Sequence, residues 1–263
     1  MEGYNIINKA IIGGTGVYAI EELVAESRSE EITTEYGEVE LEIKNIKGKD
    51  YAFLPRHGKD HSIPPHRINY RANMKALKLL GVEEIYATTA VGSCHQDYPP
   101  GSLVLIEDFI DFTRRRNYTY FDEEVRHISM AEPYCPRLNG KLVDNFSGQD
   151  FVLKEGGIYG CFAGPRFETA AEVMMAHKLG ATVMGMTNVP EVVLAKELGL
   201  CYSNVSIVVN WGTGFSDEEE LKQEEMRGII EEKKEDLLLN FIEILSKSES
   251  EKRSCNCSDD FIM

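Results

Sequence analysis

The feature that most constrains the fold of this chain is the alternation of strand-like and helix-like segments. Short apolar or alternating segments predict strands at residues 9–12, 38–46, 51–54, 84–90, 103–109, 181–186 and 200–209. Helical spacing predicts helices at residues 69–80, 169–179, 189–198 and 217–246. Such alternation is typical of a largely parallel sheet with helices on both faces. We therefore predict an α/β fold, a single domain with a mixed, largely parallel, twisted sheet flanked by helices.

The domain is expected to occupy residues 1–247 and to be followed by a tail. The length of 263 residues is ample for one large α/β domain with a buried core. Residues 248–263 are polar, and we predict that they form a loose C-terminal tail.

The net charge of −16 limits the partners that this chain can have. A surface this acidic repels phosphate backbones and anionic lipid headgroups. Neither nucleic acid nor a membrane is therefore an expected partner. No apolar run reaches the roughly 18 residues of a transmembrane helix, and the N-terminal segment has no basic region followed by an apolar stretch. We expect a cytoplasmic protein in which any phosphate site is built locally.

Six cysteines are scattered along the chain, in a pattern typical of buried thiols rather than of a secreted disulfide scaffold. Four of them lie in or beside apolar segments: Cys94, Cys135, Cys161 and Cys201. The sequence leaves open a pair between Cys135 and Cys201. It also leaves open a disulfide or a metal site at Cys255 and Cys257, which are separated by one residue.

Polar and glycine-rich clusters follow several of the predicted strands, where ligands bind in sheets of this kind. They occupy residues 13–16, 56–58, 88–93, 164–169, 185–191 and 209–212. Glycines let the backbone approach a ligand closely, and successive N–H groups form anion sites. Arg56 offers a fork of donors suited to an oxyanion. In so acidic a chain, the basic loop over residues 56–67 reverses the local charge and favours a phosphate site.

Two other kinds of site fit these clusters poorly. The intervals between His57, His61 and His66 match no metal-ligand motif, so we expect no metal there. Residues 13–16 are not followed by the Gly-Lys-Ser/Thr of a phosphate-binding loop. They also lack the acidic residue about 20 positions further on that a dinucleotide-binding oxidoreductase uses.

Taken in order, the clusters resemble the purine nucleoside phosphorylase superfamily, and within it the methylthioadenosine phosphorylase-like branch. The resemblance runs from about residue 11 to about residue 212, and its most specific segments are 12–16, 56–58, 130–136, 164–167 and 186–192. It implies a nucleoside phosphorylase-like fold and reversible phosphorolysis of a purine nucleoside. Inorganic phosphate is then a co-substrate, and no cofactor is expected.

The resemblance implies phosphate ligands that are all hydrogen-bond donors, as a dianion requires. They are Thr15, Arg56, His57, Thr89 and Thr187, together with the backbone of Ala90. It also places Met186 under the ribose and His127 in the ribose site of a neighbouring subunit. A homo-oligomer, either a trimer or a dimer of trimers, is the expected assembly.

At the base, this sequence resembles the hypoxanthine/guanine-type phosphorylases rather than the enzymes that act on methylthioadenosine. The latter usually have serine, aspartate and aspartate where Glu168, Asn210 and Gly212 stand. A 6-oxopurine carries a proton on N1 and an acceptor at O6, so a carboxylate and an amide suit it, whereas adenine has a bare N1 acceptor. Glu168, Asn210 and His57 are the expected catalytic residues, and Phe167, Trp211 and Gly212 complete the expected substrate site.

Alternative functions remain open at this point. A methylthioinosine or methylthioadenosine phosphorylase would differ in the pocket for the 5′ substituent, which we expect near residues 213–230. An inactive purine- or phosphate-binding protein on the same scaffold would need a broken phosphate site, yet every phosphate position that can be aligned is intact.

Overall fold

A nine-stranded mixed sheet organises the chain. The structure, a computed structural model, describes residues 7–14, 26–149, 152–216, 222–247 and 253–258. The strands are β1 (Lys9–Gly13), β2 (Glu26–Thr34), β3 (Gly37–Ile46), β4 (Lys49–Pro55), β5 (Glu84–Ser93), β6 (Leu103–Asp111), β7 (Leu153–Cys161), β8 (Val183–Gly185) and β9 (Cys201–Trp211). Their order across the sheet is β2-β3-β4-β1-β5-β8-β7-β6-β9.

Parallel and antiparallel pairs both occur in this sheet, with five parallel pairs and four antiparallel ones among the described strands. The parallel pairs are β1–β4, β1–β5, β5–β9, β6–β7 and β7–β8, and the antiparallel pairs are β2–β3, β3–β4, β5–β8 and β6–β9. The predicted mixed, largely parallel sheet is confirmed. The structure adds one feature that the sequence did not reveal: β9 pairs with both β5 and β6, so strands β5 to β9 close into a ring.

In the part of the chain that the structure describes, five α-helices cover the sheet: α1 (Tyr70–Leu79), α2 (Pro136–Phe146), α3 (Ala170–Lys178), α4 (Asn188–Glu197) and α5 (Gln223–Lys247). Buried residues of α1 and α4 pack into one hydrophobic cluster, and those of α2 and α5 pack into another. Two predicted helix starts have clear caps. The Asn69 side chain accepts from the backbone N–H of Ala72, and Thr169 forms a capping box with Glu172.

Three elements were not predicted, namely β2, α2 and β7. Strand β2 is mostly polar and exposed, because it is a sheet-edge strand that pairs with β3 alone. Strand β7 carries Gly156 and Gly157, which interrupt the alternation that marks a strand. A side chain at Gly157 would approach Val104 Cγ1 to 2.6 Å, so close packing against β6 requires glycine there.

Part of the predicted loose tail is held against the domain instead. The Arg253 guanidinium donates to the backbone oxygens of Glu83 and Gly199. The side chain of Cys257 is buried. The prediction of a loose tail is therefore wrong for residues 253–258, because their few anchoring contacts are made by an arginine and cysteines that a polar composition does not reveal. The division of the chain at residue 247 stays a prediction.

The predicted burial of four thiols is confirmed, since Cys94, Cys135, Cys161 and Cys201 are all buried. No helix in the described part of the chain combines the length and hydropathy that a bilayer-spanning segment needs.

Candidate active site

The carboxyl ends of β1, β4, β5, β8 and β9 open into one cavity of about 580 Å³. Most of the site residues predicted from the sequence line it: Arg56, His57, Thr89, Ala90, Phe167, Glu168, Met186, Thr187, Asn210, Trp211 and Gly212. Thr15 lies outside the described residues. His127 is exposed and lies away from the cavity lining, so its predicted role in a neighbouring subunit's site stays a prediction.

Strand β5 runs along the cavity and separates two groups of lining residues. Near its middle, the backbone oxygen of Thr88 accepts from Arg56. Four residues further on, Gly92 lies against the side chain of Asn210. At about 3.3 Å per strand residue, these contacts are roughly 13 Å apart. We call the residues around the first contact (Arg56, His57, Thr89 and Thr187) the donor end. Asn210, at the second contact, forms the Glu168 end together with the neighbouring Trp211 and Gly212 and with Phe167 and Glu168, which line the same cavity.

Arg56 is fully buried and is fixed by a carboxylate from the first turn of α4. Its Nε and Nη2 donate to the two oxygens of Glu191 at 2.6 and 2.7 Å, and Nη1 donates to the Thr88 backbone oxygen at 3.0 Å. Tyr202 also donates to Glu191. Burial opposes the charge of Arg56, but Glu191 outweighs this and raises the pKa of the guanidinium above its usual value. Arg56 is therefore a permanently charged, preorganised donor in the cavity wall.

His57 has one ring nitrogen committed to the backbone. Its Nδ1 lies 2.8 Å from the backbone oxygen of Ile63, and because a carbonyl oxygen only accepts, Nδ1 carries the hydrogen. Burial, together with the nearby charge of Arg56, lowers the pKa of His57 to about 4. The neutral ring then has an unprotonated Nε2, which accepts a hydrogen bond. The expectation that His57 acts as a donor does not fit this tautomer.

The hydroxyl of Thr89 belongs to a buried network behind the cavity wall. Its Oγ1 lies 2.8 Å from Ser206 Oγ and 3.4 Å from Asn204 Oδ1, and Ser206 also donates to Asn204. All three residues are buried on neighbouring parallel strands, at the register Thr89–Ser206. Pairing across the strands therefore fixes the threonine hydroxyl in position.

Arg116 ties together two of the loops that form the cavity. Its guanidinium donates to the backbone oxygens of Ala163 at 2.9 Å and Met186 at 2.8 Å, and also to that of Val189. Arg116 was not among the predicted site residues, and neither were Glu191 and Tyr202. A carboxylate at position 191, within a segment where the residues on both sides are apolar, is the one signal that could have found Glu191.

The Glu168 end is more open. Phe167 is 69% exposed and Glu168 is half-buried, and that burial raises the pKa of the Glu168 carboxyl. The amide of Asn210 donates to the backbone oxygen of Trp211 at 2.6 Å, which leaves one further N–H and the amide oxygen for a ligand.

Gly212 has no room for a side chain. A Cβ at this position would lie 2.5 Å from Met184 Cε and 3.0 Å from Val173 Cγ1. The backbone N–H of Gly212 donates to the Ser93 oxygen at 2.7 Å, which holds it close to β5. An aspartate at this position, as in the enzymes that act on methylthioadenosine, would therefore require these neighbours to shift.

The chain is similar to known proteins along nearly its whole length. The model of the Phosphorylase superfamily matches residues 8–243. A protein of Moorella thermoacetica, named as a probable 6-oxopurine nucleoside phosphorylase, is 42% identical over 95% of this chain and 96% of its own length. A protein of Methanothermobacter thermautotrophicus, named as a probable S-methyl-5′-thioinosine phosphorylase, is 44% identical over 94% of this chain and 86% of its own length.

A solved structure with this fold is named for a third nucleoside, methylthioadenosine. The crystal structure of a methylthioadenosine phosphorylase from an Antarctic soil metagenomic library matches with a TM-score of 0.88 and 30% identity, over 98% of this chain and 92% of that one. Relatives named for different nucleosides have nearly the same identity to this chain. Overall sequence identity therefore does not indicate which nucleoside this chain binds. The side chains that line the cavity have to provide that information.

Proposed function

The chain belongs to the Phosphorylase superfamily, and from this premise we propose that it catalyses the reversible phosphorolysis of 6-oxopurine nucleosides such as inosine and guanosine. The products are the free purine and ribose 1-phosphate. The reaction transfers a pentosyl group to inorganic phosphate and would serve purine salvage. Phosphate is the co-substrate, and the proposal includes no further cofactor.

The observation that carries this proposal is the pairing of two unlike ends in one cavity. Buried Arg56 and the strand-end threonines suit a phosphate dianion, because charged and neutral donors both stabilise it. Asn210 offers an amide roughly 13 Å further along β5, and Glu168 offers an acceptor in the wall of the same cavity. A bound nucleoside and a phosphate on the other side of its sugar would span such a distance.

The Glu168 end favours a 6-oxopurine over a 6-aminopurine. The Glu168 carboxylate accepts from N1–H and, in guanine, from the 2-amino group, while the free N–H of Asn210 donates to O6 or N7. Adenine would place the N1 lone pair against the carboxylate. An unmatched buried polar contact of this kind costs about 1–3 kcal/mol. The tight packing at Gly212 supports the same preference, because it leaves no space for the additional aspartate.

The proposed mechanism needs positioning and electrostatic stabilisation only. Cleavage of the glycosidic bond leaves positive charge on the sugar and negative charge on the purine. Phosphate at the donor end stabilises the developing oxocarbenium ion and then bonds to C1 of the sugar. Glu168 and Asn210 stabilise the departing purine anion, which takes up one proton while the new phosphate ester releases the hydroxyl proton of monohydrogen phosphate. Neutral His57 accepts, through Nε2, the hydroxyl proton of monohydrogen phosphate in a hydrogen bond, and this orients the nucleophilic oxygens.

A second candidate is phosphorolysis of 5′-methylthioinosine, which keeps the same base. The specific observation in its favour is that Met226 and Ile230, from α5, line the cavity. Apolar side chains suit a thiomethyl group better than a hydroxyl. Arg227 lines the cavity beside them and provides a polar alternative. The methylthioinosine-named relative from Methanothermobacter supports this candidate to the same degree as the Moorella protein supports the first.

The proposal extends to the assembly and the location. A trimer, or a dimer of trimers, in which the exposed His127 completes the ribose site of a neighbouring subunit would explain why this residue lies outside the cavity of its own chain. Light scattering would give the subunit number, and mixing His127→Ala with an inactive second variant would test whether sites are shared. A cytoplasmic location is proposed from the cysteine pattern and can be checked by fractionation.

The deciding experiment is the release of free base from inosine, guanosine, adenosine, methylthioinosine and methylthioadenosine, each with and without phosphate. We expect phosphate-dependent cleavage of the 6-oxopurine nucleosides. A preference for methylthioinosine over inosine would favour the second candidate. A preference for adenosine or methylthioadenosine would overturn the assignment of Glu168 and Asn210, and no cleavage of any nucleoside would overturn the enzymatic proposal.

A further inference from the structure

Four cysteines from three separate parts of the sequence meet at the far end of β9 from the active site. Their Sγ atoms all lie within 4.8 Å of one another: Cys135, Cys201, Cys255 and Cys257. The Cys201 and Cys255 sulfurs are 3.4 Å apart. Three of the thiols are buried, and Cys255 is partly exposed, which provides a path for an ion from solvent. We call these four residues the thiol cluster.

The convergence of four sulfurs is the arrangement that a tetrahedral metal needs. With zinc–sulfur bonds of about 2.3 Å, the sulfurs of a tetrathiolate site are about 3.8 Å apart. A disulfide has an S–S bond of about 2.05 Å and requires only one neighbouring pair of sulfurs. Two disulfides would not need each sulfur to lie near the other three.

The surroundings of the thiol cluster favour thiolates. Arg137 Nη2 lies 3.4 Å from Cys201 Sγ, and its Nη1 forms an ion pair with Glu84 at 2.7 Å. Arg253, two residues before Cys255, is anchored on Glu83 and Gly199. Two arginines therefore lie next to a group of thiols in a chain whose net charge is −16. Positive charge of this kind offsets the excess negative charge of a tetrathiolate centre.

We propose that the thiol cluster is a structural zinc site. Zinc replaces the thiol protons and forms four zinc–sulfur bonds, with release of the protons to solvent and no change of oxidation state. A closed set of four soft ligands leaves no position for substrate, so the role is structural. Cys135 precedes α2, Cys201 begins β9, and Cys255 and Cys257 belong to the tail. Zinc would therefore join three separate parts of the chain.

Metal content and thiol counting on the full-length chain test the proposal, and neither depends on which nucleoside the protein cleaves. We expect one zinc per chain by mass spectrometry of metals after purification with zinc in the medium. We also expect all six thiols to react in denaturant without reductant, and a mercurial titration to release the zinc. Two disulfides in the thiol cluster would leave only Cys94 and Cys161 reactive and would overturn the proposal. So would six reactive thiols without metal, or iron in place of zinc.

Variants locate the ion. Cys255→Ser and Cys257→Ser should each reduce the zinc content of the purified protein at least tenfold. Cys94→Ser is the matched control, because Cys94 is a buried thiol outside the thiol cluster, and it should retain full zinc. Equal zinc content in all three variants would show that the ion binds elsewhere. Cobalt loading of the wild type adds a spectroscopic readout, since thiolate-to-cobalt charge transfer should appear in the wild type and weaken in Cys255→Ser.

Removal of the metal should change stability more than activity. A chelator should lower the apparent melting temperature of the wild type by roughly 5–10 °C, and this shift should be absent in Cys255→Ser. The thiol cluster and the cavity lie at opposite ends of β9, so Cys255→Ser should keep the wild-type rate on any nucleoside that the protein cleaves. A chelator shift of the same size in Cys255→Ser would contradict the assignment.

Discussion

The two ends of the cavity are built differently. At the donor end, Arg56 and Thr89 are buried and their polar atoms are already held by protein partners from other strands and helices. At the Glu168 end, Phe167 is exposed and Glu168 is half-buried, and the residues belong to the loop after β7 and to the carboxyl end of β9. Phosphate is the same in every phosphorolysis, whereas the base varies. A rigid donor end and a more open base end are therefore what a family with one chemistry and several substrates would need.

The largest effect should come from breaking the donor end at Glu191. Replacing Glu191 by Ala leaves the Arg56 charge buried without its partner, so we expect the free energy of unfolding to fall by about 3–5 kcal/mol. The KM for phosphate should rise, because Arg56 loses the contact that aims it. Urea unfolding and phosphate titration measure the two effects.

Tyr202→Phe is the matched control for that change. It removes one hydrogen bond to Glu191 and leaves the ion pair intact, so the expected loss is about 1 kcal/mol. Glu191→Gln should fall between the two and serves as the informative variant if Glu191→Ala does not fold. Equal losses for Glu191→Ala and Tyr202→Phe would show that the buried ion pair does not dominate.

The next effect concerns the pH dependence of stability, through His57. The pKa of His57 is about 4 in the fold, because burial disfavours the imidazolium, against about 6.5 in an unfolded chain. As the pH falls, His57 therefore takes up its proton at a higher pH in the unfolded state than in the folded state. The contribution of His57 to the free energy of unfolding is fully present above pH 6.5, shrinks as the pH falls, and is lost once the pH passes below 4. The total loss is roughly 3 kcal/mol.

The difference between wild type and His57→Gln isolates this contribution, since all other titrating groups cancel. We expect the unfolding free energy of the wild type to fall more steeply than that of His57→Gln between pH 6.5 and 4. Parallel curves would mean that His57 titrates in the fold as it does in an unfolded chain, and the neutral acceptor role at Nε2 would fail with it.

The Glu168 end can be broken by exchanging its recognition groups. In the double variant Glu168→Ser with Asn210→Asp, kcat/KM for inosine should fall about 10- to 100-fold, because N1–H and O6 lose their partners. The rate with adenosine should rise. The KM for phosphate should stay near its wild-type value, since the donor end is unchanged. Full inosine activity with no gain on adenosine would contradict the assignment of this end.

The same contrast explains which parts of the molecule the sequence reveals. The clusters that line the cavity could be predicted because most of them follow apolar strands, and parallel strands bring their carboxyl ends to one edge of the sheet. The individual site residues within these clusters were implied by the family resemblance. Strands β5 and β9 are buried and rich in apolar and β-branched residues, and their boundaries were predicted to within a few residues. What the sequence could not reveal is pairing at long range. Arg56 and Glu191 are 135 residues apart, and neither position alone indicates the other.

Two of the elements that were not predicted, β2 and β7, lack a strand pattern for local reasons. Strand β2 has a mostly polar sequence, because much of it faces solvent. In β7, glycines interrupt the alternation of apolar and polar residues that would predict a strand. The tail provides the opposite case, because its polar composition predicts a loose segment while Cys257 is buried. A composition average hides single anchoring residues, and only the fold shows that Cys135 and Cys201 lie opposite the tail cysteines.

The smallest effect should come from the exposed ring of Phe167. At 69% exposure, Phe167→Ala should change the free energy of unfolding by no more than about 0.5 kcal/mol. If the ring packs on the bound purine, the KM for inosine should rise about fivefold, equivalent to about 1 kcal/mol, while the KM for phosphate stays constant. Tyr118→Ala is the control, because Tyr118 is 60% exposed and lies outside the cavity lining. A rise in both KM values would show instead that the two ends are coupled, and an unchanged KM for inosine would remove Phe167 from the substrate site.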